Sequence, residues 1–349
     1  MATHVTAFAP GRVNLIGEHT DYNQGLALPF AVEVGVTVRA RAREGRVVRA
    51  LAADLGESAT FPLEGERAEG WRAFVGGTIA ELRRAGVPVP AAELEISGTV
   101  PRGAGLSSSA ALEVALALAL AELADQPLAD QPPGDRVELA RLCSRVENEW
   151  VGARTGLLDQ LASLFGRRDC ALRIDFRSLE VRPVPLVLDG HRLVTLDSGE
   201  RHANVSSGYN RRREECSRAC AVLGVASLRE ATLEMAERLP APLDRRVRHV
   251  LDSNRRVDEA VRALERGDFP RLGELLDQSH ASLRDLYEIS TPAVEATVGR
   301  LKDAGALGAR VHGGGFGGHV LGLLPPGARA PEGAVEVRPG PGARVLERG

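Results

Sequence analysis

Two stretches of the chain hold residue types whose spacing could do chemistry, one suited to a polyol and the other to a phosphate. Ala9-Pro10-Gly11-Arg12-Val13-Asn14-Leu15-Ile16-Gly17-Glu18-His19-Thr20-Asp21-Tyr22-Asn23 packs a cation, two carboxylates and an imidazole into a short loop punctuated by glycine and proline. Pro101-Arg102-Gly103-Ala104-Gly105-Leu106-Ser107-Ser108-Ser109-Ala110-Ala111 is a glycine turn running into serines. After Ser109, the residues Leu112, Ala115, Leu116, Ala119, Leu120 and Leu123 recur at helical spacing, so a helix begins near Ser107 with a hydrophobic stripe facing a core. Its first backbone N–H groups lack intrahelical partners and its dipole end is positive, while Gly103 and Gly105 let an anion approach the main chain. The alternative use of the same residues is a serine-capped core helix after a glycine turn. A lysine-bearing phosphate loop is excluded, because the only lysine is Lys302. A cation that helps the phosphates is therefore an arginine or a metal.

Patterning supplies the elements that must hold these stretches. Val32, Val34, Val36 and Val38 alternate with polar or small residues and predict a strand, which 46–51 continues after a Glu44-Gly45 turn. Another strand at 94–100 leads into the glycine turn. Helices are expected at 107–124, 136–151 and 157–166, and strands near 170–175, 180–187 and 191–197. A mostly helical stretch covers 203–305, and short strands return at 309–312 and 319–324. Strands and helices come in blocks rather than in βαβ units, so the fold class is α+β and a Rossmann sheet is disfavoured. A length of 349 residues suggests two domains, and 44% hydrophobic residues can build two cores. Pro183, Pro185 and Asp189-Gly190 place the boundary near 190, giving domains 1–190 and 191–349. The stretch from Leu123 to Asp135 carries a tandem Leu-Ala-Asp-Gln-Pro and reads as an exposed loop.

Composition excludes several function classes. With 44 basic and 47 acidic residues the net charge is −3, and no basic block is present to track a nucleic-acid backbone. No apolar run approaches a membrane span and no secretory signal opens the chain, so the expectation is a cytoplasmic protein without a membrane partner. Cys143, Cys170, Cys216 and Cys220 are too few and too scattered for a disulfide framework, which points to a reducing compartment. Cys216 and Cys220 lack a matching Cys/His pair at zinc spacing. Gly313-x-Gly315-x-x-Gly318 matches the dinucleotide fingerprint in letters only, because that fingerprint opens a βαβ unit and the 31 residues after Gly318 are broken by Pro325, Pro326 and Pro331. His312-Gly313-Gly314-Gly315 likewise matches an esterase oxyanion loop, without any G-x-S-x-G nucleophile to use it. What remains is a flexible loop between two strands.

The serine turn resembles the ATP-phosphate loop of the GHMP kinase superfamily, which groups galactokinase, homoserine kinase, mevalonate kinase and phosphomevalonate kinase. The stretch 11–23 is similar to the sugar-binding signature of the galactokinase family. Gly156-Leu157-Leu158-Asp159-Gln160, Tyr209-Asn210-Arg211-Arg212-Arg213-Glu214-Glu215-Cys216, Ser279-His280-Ala281-Ser282-Leu283-Arg284-Asp285-Leu286-Tyr287 and the glycine cluster at 313–318 continue the likeness in the family's order. The resemblance implies the two-domain GHMP-kinase fold with the active site in the interdomain cleft. It also implies transfer of a phosphoryl group from ATP to the anomeric hydroxyl of galactose, with the small-molecule substrates galactose and ATP as partners and the chain a monomer or weak homo-oligomer.

Residue roles carry over position by position. Asp159 matches the family's catalytic aspartate and would accept the proton of the anomeric hydroxyl. Arg12 matches the active-site arginine and would hold Asp159 ionised and stabilise charge on the transferring group. Glu18, His19 and Asp21 would supply acceptors and a switchable donor to the sugar, joined by Gly156, Asp159 and Tyr209. ATP would lie on Gly103, Ala104, Gly105, Leu106, Ser107, Ser108, Ser109 and Ala110, with Trp71 beside the adenine or, alternatively, in the core. A Mg2+ ion takes hydroxyl and carboxylate oxygens, for which Ser107 or Ser108 and Glu147 are nominated, with Glu149 as competitor to Glu147. Two positions depart from the family: the glycine loop is usually entered by threonine and left by cysteine, and here His312 and His319 stand there. Metal binding by that pair is a further alternative. Competing functions are a kinase for N-acetylgalactosamine or a related sugar, and a non-catalytic galactose sensor, which would be expected to lack part of the intact Ser-Ser-Ser-Ala run.

Overall fold

The stretch that carries Arg12 begins as a strand rather than as a loop. A computed structural model describes residues 2–100, 105–128, 133–201 and 205–349, and in it strand β1 (His4–Asn14) runs through Pro10, Gly11 and Arg12. The short strand β2 (Leu26–Ala27) follows, then β3 (Pro29–Ala42), β4 (Val47–Ala52) and β5 (Glu57–Pro62). Helix α1 (Trp71–Arg84) leads to β6 (Ala92–Gly98) and α2 (Ser108–Leu123). Next come α3 (Pro133–Arg145), α4 (Leu158–Phe165), β7 (Cys170–Asp175) and β8 (Glu180–Pro185). The second half holds β9 (Arg192–Arg201), α5 (Val205–Leu223), α6 (Leu233–Ala236), α7 (Leu243–Arg266), α8 (Phe269–Asp285) and α9 (Pro292–Asp303). It closes with β10 (Gly308–His312), β11 (Gly317–Leu324), β12 (Val335–Val337) and β13 (Arg344–Arg348). Asp268 and Thr291 cap α8 and α9, their side chains accepting from Arg271 N and Val294 N, with proline in the first turn of each helix.

The first sheet runs in the order β13-β1-β3-β6-β4-β5, antiparallel except for the parallel β4–β6 pair. α2 lies across β1 and β3, with α1, α3 and α4 around it. The hydrophobic stripe expected on α2 is in fact a jacket. Alanine and leucine alternate all round the helix, and from Ala110 to Leu123 every residue but Leu112 is buried, as for a helix surrounded by neighbours. The second sheet, β10-β11-β9-β12, packs α8 against β10 and α9 against β9 and β11, and a third sheet has the order β2-β7-β8.

Two features cut across a division at 190. β13 returns from the second half to pair with β1. One core gathers Leu15, Phe30 and Leu106 with Val257, Leu272 and Leu321, residues from both halves. The fold is thus α+β, with its halves joined by a shared core on which the site rests. The expected helix 136–151 is also broken, since α3 stops at Arg145 and the chain continues as a π-helical turn over Val146–Val151. The exposed loop expected over 123–135 is shorter: Leu123 and Ala124 are buried at the end of α2 and α3 begins at Pro133, while Asp125, Gln126 and Pro127 are exposed and 129–132 lie outside the described residues. No described helix is long and apolar enough to cross a membrane, and the four cysteines are free.

Candidate active site

A slip in the β1–β3 register at Pro10/Arg12 builds the centre of the site. Proline cannot donate to a ladder, and a bulge is where a sheet tolerates it. There the amide of Arg12 turns from the sheet and donates to the carbonyl of Leu106 at 2.9 Å. A Cβ on Gly11 would stand 2.4 Å from that carbonyl oxygen, so only glycine lets the serine turn dock on the strand. The two chemistry-bearing stretches are thereby bolted together through backbone.

The Arg12 side chain then reaches Asp159 with both arms of its guanidinium. Nε donates to Oδ1 at 2.7 Å and an Nη donates to Oδ2 at 2.9 Å, while the other Nη donates to the carbonyl of Gly105 at 2.7 Å. Such a planar fork matches a carboxylate as lysine cannot. Ser107 Oγ also donates to Oδ2 of Asp159. Ser107 is therefore not the side-chain cap of α2: it sits at φ 56° in the left-handed region, makes no capping hydrogen bond, and spends its hydroxyl on Asp159. Strained backbone of this kind concentrates at functional sites.

Ser109 rather than Ser108 faces the buried carboxylate of Glu147, its Oγ donating to Oε1 at 2.9 Å, whereas Ser108 is exposed. Thr155 and Gln160 donate to the other oxygen of Glu147 at 2.7 and 3.0 Å. Burial and the nearby charge of Asp159 push the Glu147 carboxyl up from its ordinary range. Among the described residues no lysine or arginine pairs with it. Within the π-helical turn Glu147 is buried and Glu149, two positions on, is exposed beside Arg84 at 3.6 Å, so the two acids point to opposite sides. Gln160 also donates to Glu113 at 3.2 Å, a second buried carboxyl pushed well up by burial and by Glu147.

Asp159 and Arg12 open onto a cavity of about 420 Å³ whose walls include Glu18, His19, Asp21, Gly156 and Tyr209. Its size is that of a small-molecule pocket. Glu18 is fixed on every side: Asn14 Nδ2 donates to it at 2.8 Å, the amide of Gly313 donates at 3.1 Å, and the buried guanidinium of Arg310 pairs with it. Burial pushes its carboxyl up, and Arg310 and the Gly313 amide oppose that push. His19 bonds Tyr22 at 2.8 Å, and the chain of contacts runs on through Tyr287 to Cys216. Burial drives the His19 pKa down to about 3, so it is a neutral donor–acceptor and not the switchable donor expected from its type. Asp21 presses so closely on Gly156 that a Cβ there would sit 2.0 Å from its Oδ2.

The residues nominated for ATP differ in what they expose. The Leu106 side chain and Ala110 are in the core, leaving only backbone N–H groups to meet a phosphate. Gly105 is exposed at φ 66°, and Gly103 and Ala104 lie outside the described residues. Trp71 Nε1 donates to Glu57 at 2.9 Å and its ring meets Phe61 edge-on; none of these contacts is to a site residue. Sequence reasoning missed Asn14, Thr155, Gln160, Tyr287 and Arg310. Tyr287 and Gln160 stand inside recognisable motifs, whereas nothing local marks Arg310.

Comparison with known proteins places this geometry. The profile of the GHMP kinases N terminal domain matches residues 73–167, that of the galactokinase galactose-binding signature matches 2–42, and that of the GHMP kinases C terminal domain matches 260–339. The chain is 42% identical over 324 residues to a galactokinase of Thermotoga petrophila, covering 92% of this chain and 89% of that protein. It is 44% identical over 325 residues to a galactokinase of Mycobacterium tuberculosis, covering 91% and 88%. The crystal structure of Lactococcus lactis galactokinase complexed with galactose superposes with a TM-score of 0.89 at 32% identity, over 98% of this chain and 95% of that one.

Proposed function

The chain belongs to the galactokinases of the GHMP kinase superfamily, and from that membership we infer how its own residues divide the transfer of a phosphoryl group from ATP to galactose. One observation carries the reading: the Asp159 carboxylate is held by Arg12 from the sugar strand and by Ser107 from the start of α2, so a single group touches both substrates' sites. Phosphoryl transfer asks a protein mainly for positioning and for electrostatic stabilisation. Galactose fills the 420 Å³ cavity with its anomeric hydroxyl toward Asp159. As the anomeric oxygen attacks the terminal phosphorus and the bond to ADP breaks, the hydroxyl proton passes to Asp159. The first amides of α2 and the free N–H groups of Arg12 face the charge that develops on the phosphoryl oxygens. The bidentate Arg12–Asp159 geometry is what fixes that alignment.

Glu147 supports a place for Mg2+, because a buried carboxylate with hydroxyl and amide donors but no basic partner fits a hard, oxygen-seeking cation. Glu147 and a serine of 107–109 would hold the ion, which would supply positive charge to the phosphates. Glu147→Gln is expected to raise the magnesium concentration for half-maximal activity several-fold, and Glu149→Gln to leave it unchanged. The converse result would move the ligand to Glu149.

Burial raises the pKa of Asp21 to about 6, with the charge of Asp159 acting in the same direction. A carboxylate accepts from sugar hydroxyls in its ionised form, which is lost as pH falls through that value. The KM for galactose is therefore expected to rise on going from pH about 7 to about 5 while the KM for ATP stays flat. Asp21→Asn should abolish that rise; a pH dependence that survives the substitution assigns it to another group. The substrate itself is tested by ADP release with galactose, N-acetylgalactosamine, glucose and arabinose, where galactose should give the highest kcat/KM.

A further inference from the structure

His312 is a buried polar group that the sugar cavity does not explain. It ends β10, is 3% exposed, and has no hydrogen-bond partner at Nδ1 or Nε2. An imidazole buried without partners is destabilising, and such groups persist where a ligand completes them. The surroundings say which ligand. A Cβ on Gly105 would lie 3.4 Å from Cε1 of His312 and 3.8 Å from its Nε2, so the ring looks onto the exposed backbone just before α2. His319 stands directly across the β10–β11 ladder, the ring centres 6.1 Å apart.

Burial first, then the positive charge of Arg12, holds His312 well below the ordinary histidine range, with His319 and Arg310 acting in the same direction. The ring is thus neutral and keeps one N–H to give. A field that opposes a proton opposes a metal ion as well, and it favours an anion. Among the described residues no group of three His, Cys, Asp or Glu side chains is placed to hold a metal. The pair is therefore read as part of an anion site.

We propose that His312 donates a hydrogen bond to the terminal phosphoryl group of the bound nucleotide, closing the phosphate site opposite the first amides of α2. This rests on the kinase reading given above. Arg12 spans Asp159 and the Gly105 carbonyl, so the group in transfer lies between those two points, and the ring that faces Gly105 meets the outermost phosphate. Gly313, the next residue, donates its amide to Glu18 at 3.1 Å, which ties the position of the ring to the sugar loop. In a chain without a phosphate-loop lysine, a neutral donor serves on this side.

Calorimetry without sugar tests the proposal, with a β,γ-imido ATP analogue and ADP as probes. His312→Leu is expected to weaken the analogue about tenfold or more, the range of a hydrogen bond to a charged group, and to leave ADP within about threefold. His312→Gln, which keeps a donor, should recover most of the loss. Equal weakening of analogue and ADP, or no weakening of either, overturns the proposal. Should His312→Leu not fold, nitrogen NMR of the wild-type imidazole decides: its N–H signal must shift with the analogue and not with ADP, and an unmoved signal overturns the proposal. Wild-type protein that binds neither nucleotide would instead sink the kinase reading, so the two failures are separable.

Discussion

Given D-glucose in place of D-galactose, the enzyme is expected to lose about 10⁴-fold in kcat/KM, the scale on which a site built to bond a hydroxyl rejects an analogue that misplaces it. The two sugars differ only at C4, so the discrimination has to come from single groups. The cavity has them: Oδ1 of Asn14 and Nε2 of His19 are buried without partners, and the carboxylate of Asp21 stands against Gly156. An epimer that leaves one of these unsatisfied forfeits the bond and bears the full desolvation penalty of the orphaned atom. His19 cannot adapt by taking a proton, since its pKa is held near 3. Steady-state rates on the two sugars settle the matter; comparable efficiency with glucose would remove Asn14, His19 and Asp21 from substrate selection.

Asp159→Asn is expected to lower turnover by about 10²-fold or more while galactose and ATP still bind, as for removal of a positioned acid–base group. The structure adds a reason beyond the lost base. Oδ1 and Oδ2 accept from Nε and Nη of Arg12, and Ser107 adds a third donor. An amide places an NH2 where one of those oxygens stood, donor against donor, so the fork opens and the guanidinium leaves its transition-state position. Single-turnover rates beside calorimetric affinities separate the effect on chemistry from any on binding. Turnover near the wild-type value would take Asp159 out of the mechanism.

Arg12 and Asp159, 147 positions apart, are each legible in the sequence because each stands in a motif. Their meeting is a tertiary fact, made by the bulge at Pro10 and the docking of Leu106. The sequence left a serine cap open as the alternative use of this turn, because serine at a helix start most often bonds its own backbone; Ser107 instead gives its hydroxyl to Asp159 and adopts a left-handed φ that no sequence rule assigns to serine. Patterning also treated 136–151 as one helix, since a π turn changes only the hydrogen-bond step; the opposite facing of Glu147 and Glu149 needs no such turn, because positions two apart lie on opposite sides of any helix, and which of them is buried is a tertiary fact. Arg310 is invisible for a plainer reason: its partners Glu18, Asn14 and Leu15 sit at the other end of the chain. The strands of the first sheet were partly read, but β13 is a short charged run whose only claim to be a strand is its pairing with β1.

Thr6 donates to Glu347 across β1 and β13 although 341 positions separate them. On the ribosome β1 is made well before its partner, which arrives only after the segments between them have been translated. Until then the strand that carries Arg12 has an open hydrogen-bonding edge, a template for any other extended chain. The nascent protein is thus exposed to mispairing and to chaperone capture until β13 emerges, and contacts of such high sequence separation also slow refolding. Closure of the strand that carries Arg12 thus waits on the translation of β13.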